Sequence, residues 1–120
     1  MVPLLARRAG VEARQVVLVE HGFTPPPSLE GRAAVYVLHL VRRGGQPDSL
    51  YVGETGSVRQ RLHEHRAPAG RFGDAAVLRA AVVAVGDRSQ ARRLETALIN
   101  DLKAQGYDLE SSGDGHNILY

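Results

Sequence analysis

The stretch that decides the fold lies between residues 34 and 54. Residues 34–41 read AVYVLHLV, and residues 50–54 read LYVGE after a segment that contains two glycines and a proline. Valine and tyrosine favour strands, whereas glycine and proline favour turns. A short connection between two strands favours an antiparallel hairpin. The sequence therefore predicts two adjacent antiparallel strands, Ala34–Val41 and Leu50–Glu54, each with one tyrosine.

The segment that follows the hairpin carries the signal of a helix start. Ser57 with Gln60 three residues later is the pattern of a capping box, and it predicts a helix from there to about residue 67. The run from Ala76 to Val85 is mostly alanine and valine and predicts a third strand of the sheet.

A second helix is predicted near the end of the chain. Asp87 and Gln90 repeat the capping pattern, and apolar residues then recur at helical spacing. The helix is expected to end near Gln105, with Gly106 as its C-cap. The order of elements indicates an α+β fold, with a small antiparallel sheet of about three strands flanked by helices.

The residues before the hairpin predict an additional N-terminal strand and a connector. Residues 15–19 are mostly apolar and β-branched, which is typical of a strand. Thr24–Pro27 contains three consecutive prolines, which favour an extended, stiff segment. We therefore expect residues 1–30 to form a strand and a proline-rich connector, and residues 31–120 to form the main domain.

Composition excludes several classes of site. The chain has 120 residues and no cysteine, which excludes disulfides, a cysteine nucleophile, thiolate zinc sites and iron–sulfur clusters within it. No apolar run approaches the roughly 20 residues of a membrane span, so no membrane association is expected. The five histidines lack zinc-ligand spacing.

Charge is unevenly distributed along the chain. The net charge is +2, and all basic residues except Lys103 are arginines. Residues 32–93 carry eleven arginines and five acids, whereas residues 94–120 carry five acids and one lysine. Arginine is suited to bidentate contacts with phosphate, so the basic middle is compatible with a polyanionic partner.

Five polar or aromatic residues are candidates for a functional site. Tyr36 and Tyr51 lie on the two neighbouring strands, while Arg61 and His65 lie four residues apart and share one face of the first helix. Glu95 falls at the edge of the apolar stripe of the second helix. Taken singly, each is more typical of packing or of a solvated surface. The set is specific because of its combination and order.

This combination resembles the GIY-YIG nuclease family. Residues 34–36 read Ala-Val-Tyr for the first motif, with alanine in place of the family's glycine, and residues 51–53 read Tyr-Val-Gly for the second. Within the family, the chain resembles the GIY-YIG domain fused to organellar MutS homologues of plants. The resemblance implies the GIY-YIG fold and a set of catalytic residues: Tyr36, Tyr51, Arg61, His65, Glu95 and Asn117.

The resemblance also implies a role for each residue and a cofactor. Glu95 is expected to bind Mg²⁺ or Mn²⁺, and Arg61 to bind the scissile phosphate. Tyr36 is expected to act as general base, with Tyr51 as an orienting and phosphate-binding partner. A hard cation that keeps most of its waters needs only one or two carboxylates. The expected substrate-binding residues are Gly53, Thr55, Arg59 and Arg66.

Three functions remain open at this point. The leading hypothesis is a metal-dependent endonuclease that acts on branched or mismatched DNA, in a MutS-type chain or beside a MutS-type ATPase. The second is a DNA-binding module without cleavage activity, and the third is a protein-interaction domain. An intracellular location is expected: a mitochondrion or plastid by resemblance, or the cytoplasm for a free-standing bacterial relative.

Overall fold

The computed structural model describes residues 2–20, 24–41, 48–66 and 76–109. It contains three helices and four strands. The helices are α1 (Val2–Ala9), α2 (Val58–Arg66) and α3 (Arg88–Ala104). The strands are β1 (Val17–Glu20), β2 (Ala34–Val41), β3 (Ser49–Thr55) and β4 (Ala76–Ala84). Within these residues, no helix is both long and apolar enough to cross a membrane.

The four strands form one antiparallel sheet in the order β1-β4-β2-β3. The predicted hairpin is confirmed, and its register places Tyr36 opposite Gly53. The additional N-terminal strand is also present, with Val17 opposite Val82 at the other side of the sheet. The predicted α+β class is therefore confirmed, with the N-terminal strand as a fourth member of the sheet.

Alternation along the strands divides the core into two layers. Val35, Val37 and Val52 face one side, where they pack with buried residues of α1 and α3. Tyr36 and Tyr51 face the other side, where they pack with buried residues of α2 such as Val58 and Leu62. This division follows from the two-residue period of a strand. It places both tyrosines under α2.

Local signals explain the bounds of α3. The carboxylate of Asp87 accepts a hydrogen bond from the backbone N–H of Gln90 at 2.8 Å, which confirms the predicted N-cap. The side chain of Gln90 accepts from the N–H of Gly86 at 2.7 Å, one residue earlier than in a capping box. Gly106 follows the C-cap with φ of 86°, a conformation that glycine adopts at little cost.

Asp87→Ala is expected to lower the free energy of unfolding by about 1 kcal/mol, because it leaves a backbone N–H of the first turn without its cap. The measurement is urea unfolding followed by circular dichroism. Asp87→Ser is the control, since a serine hydroxyl also caps a helix. Equal stability of the alanine and serine variants would contradict a capping role for this side chain.

Helix α1 has no counterpart among the sequence predictions. It has only eight residues, and a helix of that length is marginal on its own in water. Leu4, Leu5 and Ala6 are buried in the layer that also contains α3, and Arg8 forms an ion pair with Asp101 of α3. Tertiary packing therefore stabilises a helix whose local sequence signal is weak.

The proline connector follows the prediction in part. Pro26 is extended, with φ of −64° and ψ of 152°. Pro27 begins a single 3₁₀ turn, Pro27–Leu29, rather than continuing the extended segment. A proline is tolerated at the first position of such a turn because its missing N–H has no partner there.

Candidate active site

Three aromatic side chains meet between the sheet and α2. Strand β2 supplies Tyr36, β3 supplies Tyr51, and α2 supplies His65. The ring centres of Tyr36 and Tyr51 are 6.1 Å apart, and the centre of the His65 ring lies 5.6 Å and 5.2 Å from those of Tyr36 and Tyr51. The structure thus brings together three of the predicted catalytic residues.

A hydrogen bond links two members of this cluster. Oη of Tyr36 lies 2.8 Å from Nε2 of His65, and both residues are buried. His65 follows Val58 by seven residues and Leu62 by three, so the three side chains lie on the same face of α2, and all three are buried. A buried hydrogen bond between a phenol and an imidazole provides a path for a proton between two groups.

Gly53 is the position at which Tyr36 packs onto β3. A Cβ atom on Gly53 would lie 2.4 Å from both Cζ and Oη of Tyr36. Any side chain larger than hydrogen would therefore collide with the ring. The glycine of the second motif is explained by this close approach rather than by an unusual backbone angle.

A polar cleft lies beside the N-terminal end of α2. It has a volume of about 370 Å³ and is lined by Thr55, Gly56, Ser57, Gln60, Arg61, Glu64 and Arg88. Arg61 lies one helical turn before His65, and its Nη1 is 3.7 Å from a carboxylate oxygen of Glu64. The predicted phosphate-binding arginine thus faces a cleft rather than open solvent.

Glu95 is more deeply buried than the sequence predicted. It was expected at the edge of the apolar stripe of α3, but only 3% of its surface is exposed. The helix packs on the face of the sheet opposite to α2. The hydrogen bond to Glu54 raises the pKa of Arg88, and the charge of Glu95 makes a smaller contribution in the same direction. Glu95 is therefore electrostatically coupled to a residue of the cleft.

The sequence predictions missed the partner of Glu54. This residue alternates with Gly53 and Thr55 along β3, so it faces the layer of α3. Its side chain is buried and bound by Arg88, with Arg92 nearby at 3.9 Å. A charged residue in an otherwise apolar strand is a signal of a buried partner, but its identity depends on the fold.

Of the remaining predicted residues, Thr55 lines the cleft and Arg59 does not. Thr55 is buried, and its hydroxyl oxygen accepts a hydrogen bond from the N–H of Ser57 at 2.9 Å. Arg59 is exposed on α2, with Nη1 3.5 Å from a carboxylate oxygen of Glu30. The side chain of Arg66 and all of Asn117 lie outside the described residues.

The donor set fits a hydrated hard cation and not a fully protein-coordinated metal. Among the described residues, no group of three or more His, Asp or Glu side chains could hold an ion. Glu54 pairs with Arg88, and the other buried acid among the described residues is Glu95. Glu95 lies on α3, whose buried residues pack on the face of the sheet opposite to Tyr36 and Tyr51. Mg²⁺ keeps several waters and binds proteins through as few as one carboxylate, so Glu95 alone would suffice as its protein ligand.

Comparisons with known proteins identify the family of the chain. The family model for the GIY-YIG catalytic domain matches residues 35–108. Over 92 residues the chain is 39% identical to the DNA mismatch repair protein MSH1, mitochondrial, of Arabidopsis thaliana. The aligned region covers 76% of this chain but 7% of that protein, so the chain spans a small part of the relative's length. No solved structure matches the chain. The chain therefore belongs to the GIY-YIG family of endonucleases and carries its catalytic domain.

Proposed function

We propose that this domain hydrolyses phosphodiester bonds of DNA with the help of a bound divalent cation. The observation that carries the proposal is the buried hydrogen bond between Tyr36 and His65, next to a cleft that contains Arg61. Tyr36 and His65 would form the pair that transfers a proton. Arg61, on the same helix as His65, would bind the phosphate. Phosphodiester hydrolysis needs both functions.

Tyr36 is proposed as the general base. A free phenol has a pKa of about 10, so the phenolate must be favoured by its surroundings. In the imidazole tautomer with its proton on Nδ1, the hydroxyl of Tyr36 donates to Nε2 of His65, which can take the phenolic proton. The Tyr36 oxygen then accepts a proton from the attacking water. The water oxygen forms the new bond to phosphorus as the bond to the leaving oxygen breaks.

Arg61 and Glu95 are proposed to offset the negative charge of the phosphate, the first directly and the second through a bound cation. The guanidinium of Arg61 would hold two phosphate oxygens and offset the negative charge that develops in the transition state. Glu95 would hold Mg²⁺ or Mn²⁺, which acts as a Lewis acid towards the phosphate when bound. Tyr51, buried beside both Tyr36 and His65, would keep the two rings in position.

The substrate, context and location are proposed from the relative. Its name places it in DNA mismatch repair and in mitochondria. We propose that this domain cuts branched or mismatched DNA, within a MutS-type chain or beside a MutS-type ATPase. The location would be an organelle, or the cytoplasm of a bacterium. Residues 31–120 would be the nuclease domain, preceded by the strand and connector of residues 1–30.

The test is cleavage of labelled branched, mismatched and fully paired DNA by the purified domain, with Mg²⁺, with Mn²⁺ and with EDTA. We expect product only with a divalent cation, and more from branched or mismatched DNA. Cleavage in EDTA would refute metal dependence, and equal rates on the three DNAs would refute the proposed substrate class.

Tyr36→Phe is expected to lower the cleavage rate about 10²-fold, because it removes the oxygen that accepts the proton. Stability should fall by only about 1 kcal/mol, since the ring remains and one hydrogen bond is lost. Tyr107→Phe is the control, as Tyr107 is exposed and lies outside the cluster. Unchanged single-turnover rates in the Tyr36 variant would exclude Tyr36 as the base.

One observation favours a second candidate function, a DNA-binding module without cleavage activity. Only 1% of the surface of Tyr36 and 3% of that of Tyr51 are exposed, which is also the behaviour of packing residues. This candidate predicts DNA binding that is the same in wild type and Glu95→Gln. It also predicts no metal-dependent product at any protein concentration.

A further inference from the structure

The carboxylate of Glu54 is buried, and one arginine binds it through two hydrogen bonds. The Nε–H of Arg88 donates to Oε2 at 2.6 Å, and its Nη2 group donates to Oε1 at 2.9 Å. The side chain of Glu54 is 4% exposed, whereas that of Arg88 is 47% exposed. The pair links the end of β3 to the first residue of α3. It therefore fixes an arginine at the surface by means of a buried acid.

Stability alone does not account for this pair. Burying an ion pair costs desolvation energy, and well-packed apolar residues at such positions are often equally stabilising or more so. Val52, on the same face of β3, is part of the apolar core. Arg88 also places a positive charge in the first turn of α3, where the helix dipole disfavours it. What the pair does provide is a guanidinium with a defined position.

That position is the wall of the cleft opposite α2. Arg88 lines the cleft together with Arg61, one arginine from each helix. Its Nη1 lies 3.1 Å from the point where a Cβ atom of Gly56 would be, so the glycine leaves room for the guanidinium. A guanidinium has more N–H donors than one carboxylate takes up, and the Nη1 group is not among those bound to Glu54.

We propose that Arg88 is a second phosphate-binding residue of this cleft and that Glu54 is the residue that positions it. The inference rests on the proposed function, since it assigns the cleft to the DNA backbone. Arg61 and Arg88 would contact the backbone from the two walls. Because the guanidinium is already held in place, little side-chain entropy is lost when a phosphate binds.

The test measures affinity for a fluorescent branched DNA in EDTA across a series of salt concentrations. Neutralising one phosphate contact changes the slope of log K against log salt by about 0.9. We expect Arg88→Ala to reduce the slope by about that amount and to weaken binding about tenfold. The control is Arg93→Ala on the same helix, because Arg93 lines a different depression with Arg8. It should leave the slope unchanged.

The positioning role of Glu54 has its own readout. Glu54→Gln should reduce the slope nearly as much as Arg88→Ala, and the double variant should show no further reduction, because both act on one contact. Melting temperatures of all variants separate this effect from unfolding. The proposal for Arg88 is overturned if its alanine variant keeps the slope of wild type. The proposal for Glu54 is overturned if the two slope changes add.

The two levels of proposal fail in different ways. Binding in EDTA does not depend on cleavage. If the wild-type domain does not cleave DNA but Arg88→Ala reduces the slope of log K against log salt, the assignment of Arg88 is still supported. If the wild-type domain cleaves DNA and the Arg88→Ala variant keeps the salt slope of wild type, the nuclease function is supported and this inference is refuted.

Discussion

Glu95→Gln is expected to lower the rate of DNA cleavage by at least about 10³-fold. The amide keeps the shape of the side chain but not its charge, so it holds a divalent cation poorly. Losing the Lewis acid costs several kcal/mol of transition-state stabilisation, and each 1.36 kcal/mol is tenfold in rate. Affinity for DNA measured in EDTA should remain close to that of wild type, since the proposed phosphate contacts are made by arginines.

The control for this variant is Asp101→Asn on the same helix. Asp101 pairs with Arg8 of α1, away from the cleft, and exposed ion pairs contribute little to stability. Its cleavage rate should equal that of wild type. Residual activity of Glu95→Gln that is restored by raising Mn²⁺ would support a metal-binding role. Full activity of the variant at low Mg²⁺ would exclude Glu95 as the metal ligand.

Gly53→Ala is expected to destabilise the domain by about 1–3 kcal/mol and to reduce cleavage about 10²-fold. The added methyl group would lie 2.4 Å from Cζ and Oη of Tyr36, so the ring must move within a packed core. Displacing the ring also breaks its 2.8 Å hydrogen bond with His65. An error of about 1 Å in the position of a reacting group is enough for a rate loss of that size.

The measurements are urea unfolding and single-turnover cleavage of the same branched DNA. Gly56→Ala is the stability control, three residues further along, where the added methyl group would lie 3.1 Å from Nη1 of the half-exposed Arg88 side chain rather than against a ring in the packed core. Its unfolding free energy should change much less. If the two variants were equally stable, the close packing of Tyr36 on Gly53 would have no energetic importance.

Features with a local cause could be predicted from the sequence. The hairpin follows from alternating β-branched and aromatic residues around a turn, and the start of α3 follows from the capping side chain of Asp87. Tyr36 and Tyr51 could be placed on neighbouring strands of one hairpin, but their common face follows from the register that the structure shows. The family resemblance then added the roles of Arg61, His65 and Glu95, which periodicity alone does not supply.

Features that depend on distant contacts could not be predicted. The ion pair between Glu54 and Arg88 joins residues 34 positions apart. A glutamate in an apolar strand signals a buried partner, but nothing in the local sequence identifies Arg88 as that partner. Helix α1 is short and is stabilised by packing with α3. The depth of Glu95 depends on how closely α3 approaches the sheet, and an amphipathic pattern gives only the side of the helix and not that distance.

The pairing of β1 with β4 limits how far the protein can be truncated from its N-terminus. If a shortened protein began at residue 31, the backbone N–H and C=O groups of β4 that pair with Val17–Glu20 would lose their partners. An open strand edge of this kind is a template for association with another chain. Strand β1 therefore covers this edge of β4, and we expect a chain shortened to residue 31 to self-associate more readily than one that keeps β1.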